Sequence, residues 1–268
     1  MPAPDTHRLL VPLAAAMALL LVAGVAAMVQ LWRGAGANSL PWRNLLARFA
    51  EASPWRGRDL LALLALVALA QILRPRLPGA VVRDVLAFQG MVTAGALWLA
   101  RRKAQPFGRR NSWSAVTKQA LLRWLALLPL LWFAAFTWQI VLKAMGQAPS
   151  LQEALRLFIE SRNIWQRASL LAFAVILAPV AEEMLFRGIL LPLLIRRIGA
   201  TAGLLLTAAG FAALHGNLGT FVPLAVISVA LSLAYARTGS LLVPMAMHAL
   251  FNGANLALLW SLLRAGVM

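Results

Sequence analysis

Residues 198–236 read IGATAGLLLTAAGFAALHGNLGTFVPLAVISVALSLAYA, thirty-nine positions from Ile198 to Ala236 without one formal charge. A single helix of that length would be about 58 Å long at 1.5 Å per residue, nearly twice the hydrocarbon core of about 30 Å. The run therefore holds two helices. His215-Gly216-Asn217-Leu218-Gly219 is where they part, because it gathers the polar and glycine residues of the stretch. A chain with two adjacent charge-free helices crosses a membrane more than once.

The composition agrees along the whole length. Of 268 residues, 62% are hydrophobic and 12% charged, against about 45–50% and about 25% in soluble domains. A mean hydropathy of +0.78 leaves too little polar surface to cover a soluble core. Disorder and a disulfide-stapled secreted domain are excluded on the same grounds. There is no cysteine, and so no thiolate metal site and no thiol nucleophile.

Charge-free runs elsewhere mark further spans. Leu9–Trp32, Leu60–Leu73, Val85–Ala100 and Trp124–Leu142 come first. Leu9–Trp32 reads as a retained helix, since a signal peptide has a shorter apolar region. Ala168–Ala181 continues through Gly188–Ile195 past Glu182, Glu183 and Arg187, and Thr238–Leu263 is last. The fold class is an all-α polytopic transmembrane bundle of eight spans, or seven if Leu60–Leu73 lies in the interface. In Pro149–Asn163, Leu151, Leu155, Phe158 and Ile159 recur at helical spacing among charges, which predicts an amphipathic surface helix.

The chain carries 25 Lys and Arg against 8 Asp and Glu, a net charge of +17. The basic residues fall between apolar runs, as loop charges facing anionic lipid do, so lipid and not nucleic acid is the expected partner. With eight spans the basic loops 33–58 and 101–123 face inward and both termini face out. Loss of Leu60–Leu73 as a span would put the N-terminus inside. Arg outnumbers Lys 22 to 3 among abundant Ala and Leu, which suggests a GC-rich bacterial source and location in the cytoplasmic membrane.

Three charges inside one span demand an explanation. At about 2.5–3.5 kcal/mol each, Glu182, Glu183 and Arg187 represent roughly 7–10 kcal/mol of insertion cost. Glu183 and Arg187 stand at i and i+4 and are placed to pair; Glu182 points about 100° away. His215 follows Phe211 by one turn, and His248 and Asn252 share one face of the last span. A carboxylate pair, two imidazoles and an amide in apolar helices fit proton transfer to and from a held water, with donors aimed at developing charge. Interhelical hydrogen bonding is the alternative use of such groups. A Ser/His/Asp triad is not supported, because no Asp follows Asp84.

Glu182-Glu183-Met184-Leu185-Phe186-Arg187 matches Glu-Glu-x-x-x-Arg, Phe211 to His215 matches Phe-x-x-x-His, and His248 to Asn252 matches His-x-x-x-Asn. In this order the three resemble the CPBP intramembrane proteases, the CAAX protease and bacteriocin-processing group also called the ABI family. The likeness assigns residues 165–263 to a CPBP-like catalytic core and leaves 1–164, the N-terminal transmembrane helices and surface helix, without a matching motif. It implies an intramembrane endopeptidase acting on a membrane-associated peptide or protein. Glu182 and His215 would activate water, His248 and Asn252 would meet the oxyanion, and Glu183 and Arg187 would support them. It implies no cofactor. Glu182, His215 and His248 are also a sufficient zinc set for a metalloprotease, and a non-enzymatic scaffold or transporter is the remaining alternative.

Overall fold

The computed structural model describes residues 6–35, 39–73, 81–109, 111–147, 156, 158, 159, 161 and 163–264. Among them are nine helices: α1 (Thr6–Gly34), α2 (Trp42–Ala52), α3 (Gly57–Leu73), α4 (Val81–Ala100), α5 (Trp113–Ala144), α6 (Ile164–Ile198), α7 (Ala200–Leu214), α8 (Phe221–Thr238) and α9 (Leu242–Arg264). The fold is an all-α polytopic bundle. Five segments are long and apolar enough to cross a membrane: Val11–Gly34, Trp113–Ala144, Ile164–Ile198, Leu218–Thr238 and Leu242–Leu263. Each of the eight expected spans coincides with a helix, but α3 has 17 residues and α7 only 15.

Reading charge alone misplaced some boundaries. The expected loop 101–123 ends at Ser112, whose hydroxyl accepts the Ala115 N–H and starts α5 eleven residues before Trp124. The expected loop 33–58 contains α2, which buries Leu46 and Ala50 against Leu191, Ile195 and Leu204. Its Arg43, Arg48 and Glu51 made it read as loop. Most of the expected surface helix Pro149–Asn163 lies outside the described residues; Phe158 is buried with Leu170, Leu256 and Leu259.

The core is built where α5, α7, α8 and α9 meet. Trp124, Leu127 and Leu131 pack with Phe211, Leu224, Ile227, Leu231, Val243 and Met247. The outward faces stay apolar: Leu19 and Val22 on α1 and Phe133 and Phe136 on α5 are each about two-thirds exposed. On a soluble protein such patches would promote association; on a membrane bundle they meet lipid. Because lipid gives these helices no hydrophobic reason to associate, close packing matters more. At Gly24 a Cβ would lie 2.7 Å from the Leu125 carbonyl oxygen, so glycine lets α1 touch the α5 backbone.

Two ties fix the elements around the site. Trp138 and Gln139 of α5 donate to the carbonyls of Leu218 and Gly219, which holds the α7–α8 break just past His215. The loop after α4 holds the other end: Arg109 N–H donates to the Gly239 carbonyl, and Leu241 N–H donates to that of Phe107, fixing the start of α9. Between them Gly108 has φ +80°, and a Cβ there would sit 2.1 Å from the Gly239 carbonyl oxygen. Only glycine fits.

Candidate active site

The acids sit midway along α6, where the helix is irregular. Segments Phe173–Leu177 and Met184–Leu190 are π-helical. Each ends two residues before a proline, Pro179 and Pro192. Proline lacks an N–H and crowds the carbonyl four residues back, so the helix widens ahead of it. The first widening leaves a carbonyl for use. Ala178 N–H bonds Phe173, five residues back, and Pro179 has no N–H to give Ala174. Asn252 on α9 supplies it: its Nδ2 donates to the Ala174 oxygen at 2.7 Å.

One turn away from Asn252, His248 enters the cluster of α6. Glu183 is fully buried, and its Oε1 accepts from Arg187 Nη1 at 2.8 Å and from His248 Nδ1 at 2.9 Å. The carboxylate opposite Arg187 can only accept, so the proton of that second bond belongs to His248 Nδ1. Arg187 is also fully buried; its Nη2 donates to the Ser228 hydroxyl at 2.8 Å and to the Ser228 carbonyl at 3.3 Å. Its guanidinium lies 4.5 Å from the Phe211 ring centroid, a favourable site for a cation out of water. The pairing expected between Glu183 and Arg187 is present.

Glu182 faces elsewhere, as its 100° offset required. Oε1 accepts from Gln89 Nε2 on α4 at 3.1 Å. Among the described residues Oε2 is buried without a hydrogen-bond partner and stands 3.9 Å from His248 Nε2. The two groups therefore face each other across a gap too wide for a direct hydrogen bond.

His215 closes α7 and is half-buried. Its Nδ1 donates to the Phe211 carbonyl at 2.8 Å, which leaves Nε2 as the ring's free acceptor. The Phe211 ring touches both imidazoles, at 4.9 Å to His215 and 5.7 Å to His248. Among the described residues, no hydrogen bond joins His215 to Glu182, Glu183 or His248. Glu182, Glu183, Arg187 and His248 are thus one connected cluster; His215 and Asn252 adjoin it through Phe211 and α9.

A zinc ion would need three of these side chains about 2.0–2.2 Å from one point. Among the described residues no three His, Asp or Glu groups are gathered in that way. Glu183 holds His248 Nδ1 and leaves its Nε2 open, and His215 makes no hydrogen bond to either carboxylate among the described residues.

Gln89 and Ser228 touch the cluster and were missed in the sequence. Gln89 is an uncharged amide inside the apolar run Val85–Ala100, and a search for charges and imidazoles passes over it. Its polarity in an apolar stretch was the available signal. Ser228 had no comparable signal, because small hydroxyls are common in membrane helices.

No curated protein and no solved structure matches the chain. A family model does, over residues 163–254: that of the type II CAAX prenyl endopeptidase Rce1-like proteins. All three motifs lie inside the match, so the region that holds Glu182, Arg187, His215, His248 and Asn252 is similar to the type II CAAX prenyl endopeptidases.

Proposed function

We propose that the protein is an intramembrane endopeptidase that hydrolyses a peptide bond of a membrane-associated, CAAX-type substrate with water activated by Glu182. The observation that carries the reading is the facing pair of Glu182 Oε2, without a hydrogen-bond partner among the described residues, and His248 Nε2 at 3.9 Å. A water held there can donate one hydrogen to the Glu182 carboxylate while it meets His248 Nε2 on its other side. The family match to prenyl endopeptidases supports the same reaction class.

In this mechanism Glu182 accepts the proton of the attacking water and later passes it to the leaving amine. His215, its Nδ1–H held by the Phe211 carbonyl, offers Nε2 as a second acceptor for that water. The oxygen of the scissile carbonyl meets His248 and Asn252. Asn252 uses one amide proton on Ala174 and has a second to donate; His248 donates from Nε2 when that nitrogen is protonated as well. Such preplaced donors are worth most where water is excluded. Glu183 and Arg187 hold the imidazole from behind and touch no substrate. Residues 1–164 form the surrounding helices and 165–263 the catalytic core, in the cytoplasmic membrane of a bacterium.

The test uses purified full-length protein in lipid nanodiscs and a farnesylated peptide ending in a CAAX sequence. Glu182→Gln and His215→Ala should each abolish cleavage while accumulating in the membrane like the parent, since a base and its partner act as a unit. Full turnover by Glu182→Gln would refute the assignment. A comparison of peptides released from membranes of parent and Glu182→Gln cells then identifies the substrate.

A further inference from the structure

We propose that Gln89 is a positioning residue for Glu182, contributed by a helix outside the matched region. The inference rests on the reading of Glu182 as the base. Gln89 is 9% exposed and lies on α4, which packs against the middle of α6. Its Nε2 donates to Glu182 Oε1 at 3.1 Å. Glu182 cannot reach Arg187 as Glu183 does, and among the described residues Gln89 makes the one hydrogen bond its carboxylate receives.

That bond decides which oxygen works. A carboxylate turns about its last side-chain bond over a broad, shallow well. With Oε1 tied to α4, the plane is set and Oε2 is the oxygen left facing His248 Nε2. A charge-assisted hydrogen bond from an amide suits this purpose, because it favours the carboxylate form and adds no second titrating group. The α4 backbone is itself regular at this point, and Thr93 donates its hydroxyl to the Gln89 carbonyl at 2.9 Å. The site therefore joins the matched α6, α7 and α9 to the unmatched α4.

A mere tie between helices would look similar in a static structure, so the test must separate the two roles. Three substitutions do so. Gln89→Met keeps the length and loses the donor. Gln89→Glu keeps the shape and replaces the donor with a second acid. Gln89→Asn keeps an amide with shorter reach. On the farnesylated CAAX peptide, Gln89→Met should lower kcat about 10–100-fold, the worth of one hydrogen bond to a charged group, with KM within about twofold. Gln89→Glu should be the worst of the three, since it sets carboxyl against carboxyl. A packing role predicts the reverse order, with the isosteric Glu mildest and no split between kcat and KM. Should Gln89→Met fail to accumulate, Gln89→Asn carries the test, with the same fall in kcat at unchanged KM. In a Glu182→Gln background, Gln89→Met should change nothing further. Parent-like kcat in Gln89→Met, or Gln89→Glu milder than Gln89→Met, overturns the proposal. Full activity of Glu182→Gln instead overturns the assignment of the base.

Discussion

Removal of the Glu183 carboxylate should destabilise the protein far more than loss of an ordinary interhelical hydrogen bond. Glu183 Oε1 holds two donors, Arg187 Nη1 at 2.8 Å and His248 Nδ1 at 2.9 Å, in a pocket where both Glu183 and Arg187 are fully buried. A typical hydrogen bond between membrane helices contributes about 0.6 kcal/mol. Removing one partner of a buried ion pair costs about 3–5 kcal/mol, because the other charge is left uncompensated. In Glu183→Ala the two bonds from Arg187 to Ser228 and the Phe211 ring would persist, which favours the lower end of that range. For a chain of this size the loss corresponds to a drop of about 6–20 °C in unfolding midpoint. The measurement is a heating series in detergent, read as tryptophan fluorescence and as the fraction that stays monodisperse. The double variant Glu183→Leu/Arg187→Met removes both charges and should recover most of the loss, since apolar replacement of a whole buried pair is often neutral. A parent-like midpoint in Glu183→Ala, or a double variant no better than the single, would refute the reasoning.

Gly108→Ala should fail to accumulate or should unfold at a clearly lower temperature, because its Cβ would meet the Gly239 carbonyl oxygen at 2.1 Å; quantitative immunoblotting of membranes and the same heating series check it. Burial pushes the Asp59 carboxyl up, but the Lys103 hydrogen bond, the Arg56 N–H and the charges of Lys103 and Arg58 outweigh it, so its pKa lies below the ordinary aspartate value. The unfolded state then binds the proton first: the contribution of this pair is complete above about pH 3.9 and is lost as pH falls through the lower native value. The stability gap between parent and Lys103→Met should therefore be constant from pH 7 to 5 and close under strong acid, as read from unfolding midpoints against pH. A single cysteine at Asn111 should resist an impermeant thiol reagent in intact cells, because the basic 101–112 loop is expected to face the cytoplasm; labelling from outside would reverse the topology.

Periodicity and charge made much of the molecule legible in advance. Glu183 and Arg187 had to meet if residues 183–187 were helical, and Glu182 had to face away, because the helix geometry fixes both relations locally. The break at His215–Gly219 was visible because a charge-free run of that length cannot be one helix. These features depend only on neighbours in the chain. The partners of the two carboxylates depend on packing. Nothing in the local pattern shows that His248 lies on Glu183 across 65 positions, or that Gln89 lies on Glu182 across 93. Likewise the sequence contains Pro179 and Asn252, but only the packed bundle brings the amide to the carbonyl that the proline leaves without a donor. Helix α2 was hidden for a related reason: its charges point away from α6, and its buried face is defined by Leu191 and Ile195, which are distant in the chain. The charged and imidazole candidates were legible in the sequence, since each is costly in a membrane and so stands out, whereas Gln89 and Ser228 were not. Which of them touch was decided by tertiary structure, because contacts between helices follow from side-chain packing over the whole bundle and carry no signature in the spacing of any one segment.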